Sequence, residues 1–153
     1  RPIIERLMIR MFVAGHRGKK HVRTSGHMTG KKINAYNVII RTFEILEEKT
    51  KGNPVQAVVD AIEAASPREG ITTIEYGGVR YPRSVDLSPQ KRIDLALRWL
   101  TQGAYDKMVK SKGKKRIEQT LAEQILATIN YDQQASFAYS KKYDLERQAK
   151  AAR

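Results

Sequence analysis

Residues 71–86 have the sequence ITTIEYGGVRYPRSVD, with β-branched and aromatic residues on both sides of Gly77-Gly78. Two adjacent glycines tolerate the positive φ angles of a two-residue hairpin turn. This turn fixes a register that pairs Tyr76 with Val79, Ile74 with Tyr81, Thr72 with Arg83, Glu75 with Arg80 and Thr73 with Pro82. The sequence therefore predicts a two-stranded antiparallel ribbon. It must pack against helices or a partner, because two isolated strands are only marginally stable in water.

The rest of the chain has apolar residues at helical spacing. Helical segments are predicted at residues 2–13, 34–52, 54–65, 89–106, 117–129 and 139–153. Two of them begin with a capping residue followed by proline, at Asn53-Pro54 and Ser88-Pro89. Trp99 lies in a wide apolar face, so we expect it to pack in the core rather than to stack on a base. The fold class is mainly α, with the ribbon after the third helix.

The charge of the chain points to an anionic partner. There are 29 Lys and Arg against 16 Asp and Glu, which gives a formal net charge of +13, and nucleic acid is the first candidate partner. A hydrophobic content of 41% predicts one folded domain, residues 1–153, and not a disordered basic tail. No apolar run approaches the ~18 residues of a membrane helix. Arg1-Pro2 is not an initiation sequence, so we expect an N-terminal extension before residue 1.

Two basic segments interrupt the helical pattern, at residues 15–32 and 107–116. The first contains four glycines and almost no apolar residue, so it is predicted to be a long loop. Charge runs are usually solvated faces, but these runs recur in loops and at helix ends around a core. That distribution favours a folded RNA, whose phosphates approach from many directions, over the groove of duplex DNA.

The sequence offers no catalytic or metal-binding pattern. His16, His21 and His27 are spaced by five and six residues, which matches no usual metal-ligand motif, and the chain has no cysteine to complete a site. No nucleophile elbow and no phosphate-binding glycine loop occurs. We therefore expect no metal, no cofactor and no enzymatic activity.

Three long segments of the chain resemble a known family. They are RPIIERLMIRM at residues 1–11, TGKKINAYNVIIRTFEILEEKTKGNPVQAVVDAIEAASPRE at residues 29–69, and YGGVRYPRSVDLSPQKRIDLALRWL at residues 76–100. They resemble the universal small-subunit ribosomal protein seven family, and the resemblance covers nearly the whole chain. The basic segment 15–32 and the ending SFAYSKKYDLERQAKAAR resemble the archaeal branch of that family.

The resemblance implies a six-helix bundle with the ribbon inserted between the third and fourth helices. It implies direct binding to the 3′ major domain of small-subunit rRNA, nucleation of head assembly, and a position near the exit-site tRNA and the mRNA exit channel. Neighbouring small-subunit ribosomal proteins are the implied protein partners. The implied location is cytoplasmic and ribosome-bound, and neither a membrane nor a homo-oligomer is expected.

The resemblance and the basic segments together give two sets of candidate contact residues. The candidate rRNA contacts are His16, Arg17, Lys19, Lys20, Arg23, Lys31, Lys32, Gln90, Lys91, Arg92, Lys112, Lys114 and Lys115. The ribbon residues expected near tRNA and mRNA are Tyr76, Gly77, Gly78, Arg80, Tyr81 and Arg83.

Two alternatives stay open from the residues alone. A basic helical DNA-binding or chromatin-like protein would need a symmetric dimer face and affinity for duplex DNA. An RNA-modifying enzyme would need a cofactor loop or a general acid-base pair.

Overall fold

The computed structural model describes residues 2–13, 16–17, 22–23 and 28–153 of the chain. In these residues there are six helices: α1 Ile3–Met11, α2 Lys32–Thr50, α3 Pro54–Ala65, α4 Pro89–Lys110, α5 Ile117–Ile129 and α6 Phe137–Ala151. The strands form two antiparallel pairs, β1 His16–Arg17 with β2 Val22–Arg23, and β3 Glu69–Tyr76 with β4 Val79–Asp86. The predicted mainly α fold, with a ribbon between the third and fourth helices, is confirmed.

Local signals in the sequence set several helix starts as predicted. The Asn53 side chain accepts a hydrogen bond from the Val55 N–H at 3.0 Å, and the Ser88 hydroxyl accepts one from the Lys91 N–H at 3.4 Å. Each cap satisfies a backbone donor that the first turn of a helix leaves without a partner.

Several predicted boundaries were wrong, including those of α2, which spans Lys32–Thr50 instead of residues 34–52. Residues 15–32 are not loop throughout, because β1 and β2 pair within them. Helix α4 runs to Lys110, into the predicted basic break, since lysines are favourable at the carboxyl end of a helix. Helix α6 begins at Phe137 instead of Tyr139, because the Ser136 hydroxyl accepts a hydrogen bond from the Tyr139 N–H and caps the helix.

The core lies around α5, which packs against α2, α3, α4 and α6. The largest fully buried apolar side chains come from five helices: Leu7, Met11, Ile39, Leu46, Val58, Leu97, Leu100, Leu121 and Ile125. Trp99 is half-buried and packs against this cluster, so the expectation that it belongs to the core is confirmed. No helix in the described ranges combines the length and the apolar character that crossing a bilayer requires.

The ribbon has the predicted register at every pair named above. The hydrogen-bond ladder continues one step beyond the two strands, where the Leu87 N–H donates to the Arg68 carbonyl at 3.1 Å. Helix α6 lies against the ribbon, mainly against β3, and Arg153 donates to the Glu69 carboxylate at 2.8 Å. The support that two isolated strands need is therefore the last helix.

Helix α6 reaches this position because α4 has a glycine where the two helices approach. A Cβ atom on Gly103 would lie 2.7 Å from the Phe137 Cβ and 2.8 Å from the Gln124 Oε1. Such distances are shorter than van der Waals contact, and a packed core does not yield easily. Gly103 is thus required by space and not by backbone conformation.

We expect Gly103→Ala to lower the free energy of unfolding by about 1 to 3 kcal/mol through overpacking. This loss outweighs the roughly 0.5 to 1 kcal/mol that alanine gains over glycine within a helix. Urea denaturation followed by circular dichroism measures the change. Gly52→Ala is the control, since a Cβ there would lie 3.9 Å from its nearest neighbour, the Thr50 carbonyl oxygen; equal stability of the two variants would contradict the steric argument.

Candidate nucleic-acid interface

The basic turn, residues 111–116, presents lysines between α4 and α5. Lys112 and Gly113 have φ angles of 54° and 86°, so the chain reverses sharply after α4. Lys112 and Lys114 are exposed. Lys115 instead donates to both oxygens of Glu123 at 3.1 Å. The three lysines predicted to contact RNA here are therefore all exposed, and one of them is paired with a carboxylate of α5.

The start of α4 is engaged within the protein. The Arg6 guanidinium donates to the Gln90 side-chain oxygen at 3.1 Å and pairs with Asp94. Arg92 donates from Nε to the Pro67 carbonyl at 3.1 Å. Lys91 is exposed. The side chains of Gln90 and Arg92 thus brace α4 against α1 and the end of α3, and their contact with RNA stays a prediction.

A cleft between α1 and α4 adds two arginines that the sequence reasoning missed. Its lining includes Arg6, Arg10, Gln90 and Asp94. Arg6 and Arg10 are four residues apart, so they share one face of α1. That spacing is the signal that could have identified them.

The lysines at the start of α2 lie at the surface. Lys31 is exposed, and its N–H donates to the Met28 carbonyl at 3.1 Å. The Lys32 ammonium lies 3.9 Å from the Glu5 carboxylate, and its side chain is 71% exposed. An ion pair so exposed holds its lysine only weakly, so both lysines are available to an anion.

The remaining contacts predicted for the first basic segment are not described. Lys19 and Lys20 lie outside the described residues, as do the side chains of His16, Arg17 and Arg23, whose backbones pair in β1 and β2. The histidine side chains lie there as well, so the absence of a metal site stays a prediction.

One face of the ribbon carries exposed aromatic rings. Tyr76 and Tyr81 are 62% and 50% exposed, and their ring centroids are 6.4 Å apart at 53°. They line a shallow cleft with Arg83 and the end of α6, residues 151–153. Arg80 pairs in register with Glu75, so it lies on the opposite face. The predicted ribbon residues are therefore divided between two faces.

Comparisons with known proteins agree with one another over this chain. A family model described as ribosomal protein S7p/S5e matches residues 1–153. The small ribosomal subunit protein uS7 of Nanoarchaeum equitans is 53% identical over 152 residues, which are 99% of this chain and 75% of that protein. The uS7 proteins of Archaeoglobus fulgidus and Picrophilus torridus are 48% and 49% identical, over 86% and 82% of this chain. The chain spans 66% and 65% of those two proteins.

We expect Arg6→Met to lower the free energy of unfolding by roughly 1 to 2 kcal/mol, because its charged hydrogen bonds join α1 to α4 in a partly exposed setting. Thermal and urea unfolding measure the change. Arg147→Met is the control, since Arg147 pairs with Asp144 on the same exposed helix and should matter by less than about 0.5 kcal/mol. A neutral Arg6→Met would show that the bridge does not brace α1.

Proposed function

Because the chain belongs to the ribosomal protein S7p/S5e family, we propose that it binds the 3′ major domain of small-subunit rRNA and nucleates assembly of the head. The family is one of structural, non-enzymatic proteins of the small ribosomal subunit, which agrees with the lack of a catalytic motif in the sequence. On this basis the chain acts in the cytoplasm, bound to the ribosome beside neighbouring small-subunit proteins and rRNA.

The observation that supports rRNA binding most is the distribution of cations that have no carboxylate partner among the described residues. Lys31, Lys91, Lys112 and Lys114 are exposed and form no ion pair with any described carboxylate. They come from different connections and helix ends. Scattered cations on a rigid core suit a folded RNA better than the straight groove of a duplex. The DNA-binding alternative is therefore the less favoured hypothesis.

The ribbon is the proposed contact with exit-site tRNA and mRNA. Its exposed tyrosines and Arg83 combine flat rings with a cation, which is the chemistry that binds unpaired nucleotides. The core is formed by residues of the helices, and the tip of the ribbon contributes none of them. The tip is therefore available for a partner. We assign the ribbon to tRNA and mRNA, and the basic connections to rRNA.

We expect the isolated protein to bind a fragment of the rRNA head domain more tightly than duplex DNA of equal length. Because lysines and arginines contact phosphates, log K should fall with log salt by roughly 0.7 to 0.9 per neutralised phosphate. Filter binding at several salt concentrations gives both quantities. Equal affinity for RNA and DNA at physiological salt would reject the rRNA proposal.

Replacing residues 76–81 by a short Gly-Ser link should leave the fold intact, because the anchors of the ribbon at Glu69 and Arg68 are retained. Affinity for the head-domain rRNA should also persist, since the basic connections supply separate phosphate contacts. Subunits with this variant should assemble but should retain exit-site tRNA and the reading frame less well. A reporter for frame maintenance and tRNA occupancy measures the effect.

The control for this variant is Tyr131→Ser, which removes a tyrosine that is 63% exposed but lies between α5 and α6. It should behave as the wild type in both assays. Normal tRNA occupancy and frame maintenance in the ribbon variant would limit the ribbon to a role in assembly.

A further inference from the structure

Two arginines from distant parts of the chain approach the same carboxylate oxygen. Arg41 on α2 and Arg116, just before α5, each bring Nη1 toward Oε1 of Glu118, at 3.7 and 3.9 Å. The Glu118 side chain is only 10% exposed. It lies in the first turn of α5, where a negative charge is favourable. The two guanidinium groups therefore lie near each other at one point of the surface.

The arginines themselves remain open to solvent. Their side chains are 57% and 76% exposed, and each guanidinium has five N–H donors. One carboxylate cannot neutralise two guanidinium groups, so the cluster keeps a net positive charge. Exposed donors that lie side by side suit a second, larger anion that approaches from solvent.

The surface around the pair is concave and has the other features of an RNA contact. Arg41, Val109, Gly113 and Arg116 line a shallow groove beside the basic turn. Val109 is 54% exposed and offers an apolar surface to a ribose. Exposed Lys112 and Lys114 flank the groove in sequence, so the adjoining phosphates would also meet cations.

We propose that Arg41 and Arg116 bind one phosphate of an RNA together, and that Glu118 is the positioning residue that holds them for it. This assignment rests on the proposed rRNA-binding function and adds a defined phosphate site to it. Arginine is suited to this role because its planar fork matches phosphate oxygens and stays charged. A carboxylate that orients two guanidinium groups before the phosphate binds reduces the side-chain entropy lost on binding.

The direction in which one substitution changes the affinity for RNA distinguishes this proposal from simple electrostatic attraction. Removing an acidic charge from an RNA-binding surface normally strengthens binding, because the repulsion of phosphates decreases. A positioning carboxylate has the opposite effect, since its removal releases the arginines. Glu123 is the matched control: it lies on the same helix, its side chain is 40% exposed, and it pairs with Lys115 at 3.1 Å.

The experiment measures the affinity of Glu118→Gln and Glu123→Gln for the head-domain rRNA fragment and, in parallel, for duplex DNA. We expect Glu118→Gln to weaken RNA binding about threefold to tenfold, with only a small decrease in melting temperature from the lost charge at the start of α5, and Glu123→Gln to bind as well as the wild type or better. Equal or tighter RNA binding by Glu118→Gln would overturn the proposal.

Arginine variants test the shared phosphate even if Glu118→Gln fails to fold. The double variant Arg41→Gln with Arg116→Gln should reduce the salt dependence by about one phosphate, roughly 0.7 to 0.9 in log K against log salt. Either single variant should cause most of that loss. A loss twice as large, or additive single losses, would mean two separate phosphates and would refute the shared site. Arg147→Gln should leave the slope unchanged.

These experiments distinguish rejection of the shared phosphate site from rejection of the proposed rRNA-binding function. If the wild type prefers duplex DNA, the rRNA assignment fails, yet the Glu118 and Glu123 variants still differ in affinity on that DNA if the pair binds a phosphate. If the wild type prefers the rRNA fragment and Glu118→Gln binds it no more weakly, only the shared phosphate site is rejected.

Discussion

The fold depends on a buried amide that fixes the start of the last helix. Gln124 is 2% exposed; its nitrogen donates to the Ala135 carbonyl at 2.9 Å, and its oxygen accepts from the Phe137 N–H at 3.0 Å. A buried amide without such partners would be costly, so the connection from α5 to α6 has little freedom. Gly103 leaves the space in which this arrangement fits. The direction of α6 is therefore set in the core.

The ribbon depends on that direction in turn. Helix α6 holds it at two points, through the Glu146 carboxylate, which accepts from the Arg68 N–H at 3.1 Å, and through Arg153, which donates to Glu69. Both points lie at the base of the ribbon, at or just before the first residue of β3. The tip beyond them packs less and stays exposed. A contact in the core thus decides where an exposed pair of tyrosines is presented.

Sequence reasoning succeeded where the signal is local. The Gly77-Gly78 turn fixed the register of the ribbon, and Asn53-Pro54 fixed the start of α3, because each outcome depends on neighbouring residues. It did not anticipate contacts between side chains that are far apart in sequence. Gln90 is engaged by Arg6, 84 residues away, and no periodicity in either segment encodes that pairing. The pairing of Arg41 with Glu118 on α5 was missed for the same reason.

The acidic residues of this basic chain orient several of its cationic side chains. Several of the 16 carboxylates lie beside a cation of another element: Asp94 beside Arg6, and Glu118 beside Arg41. Each such pair contributes little to stability where it is exposed. Its effect on binding is greater, because a long side chain that is already oriented loses less entropy when an anion arrives. Carboxylates in this fold therefore orient cationic side chains. The net charge alone understates how specifically such a surface can bind an RNA.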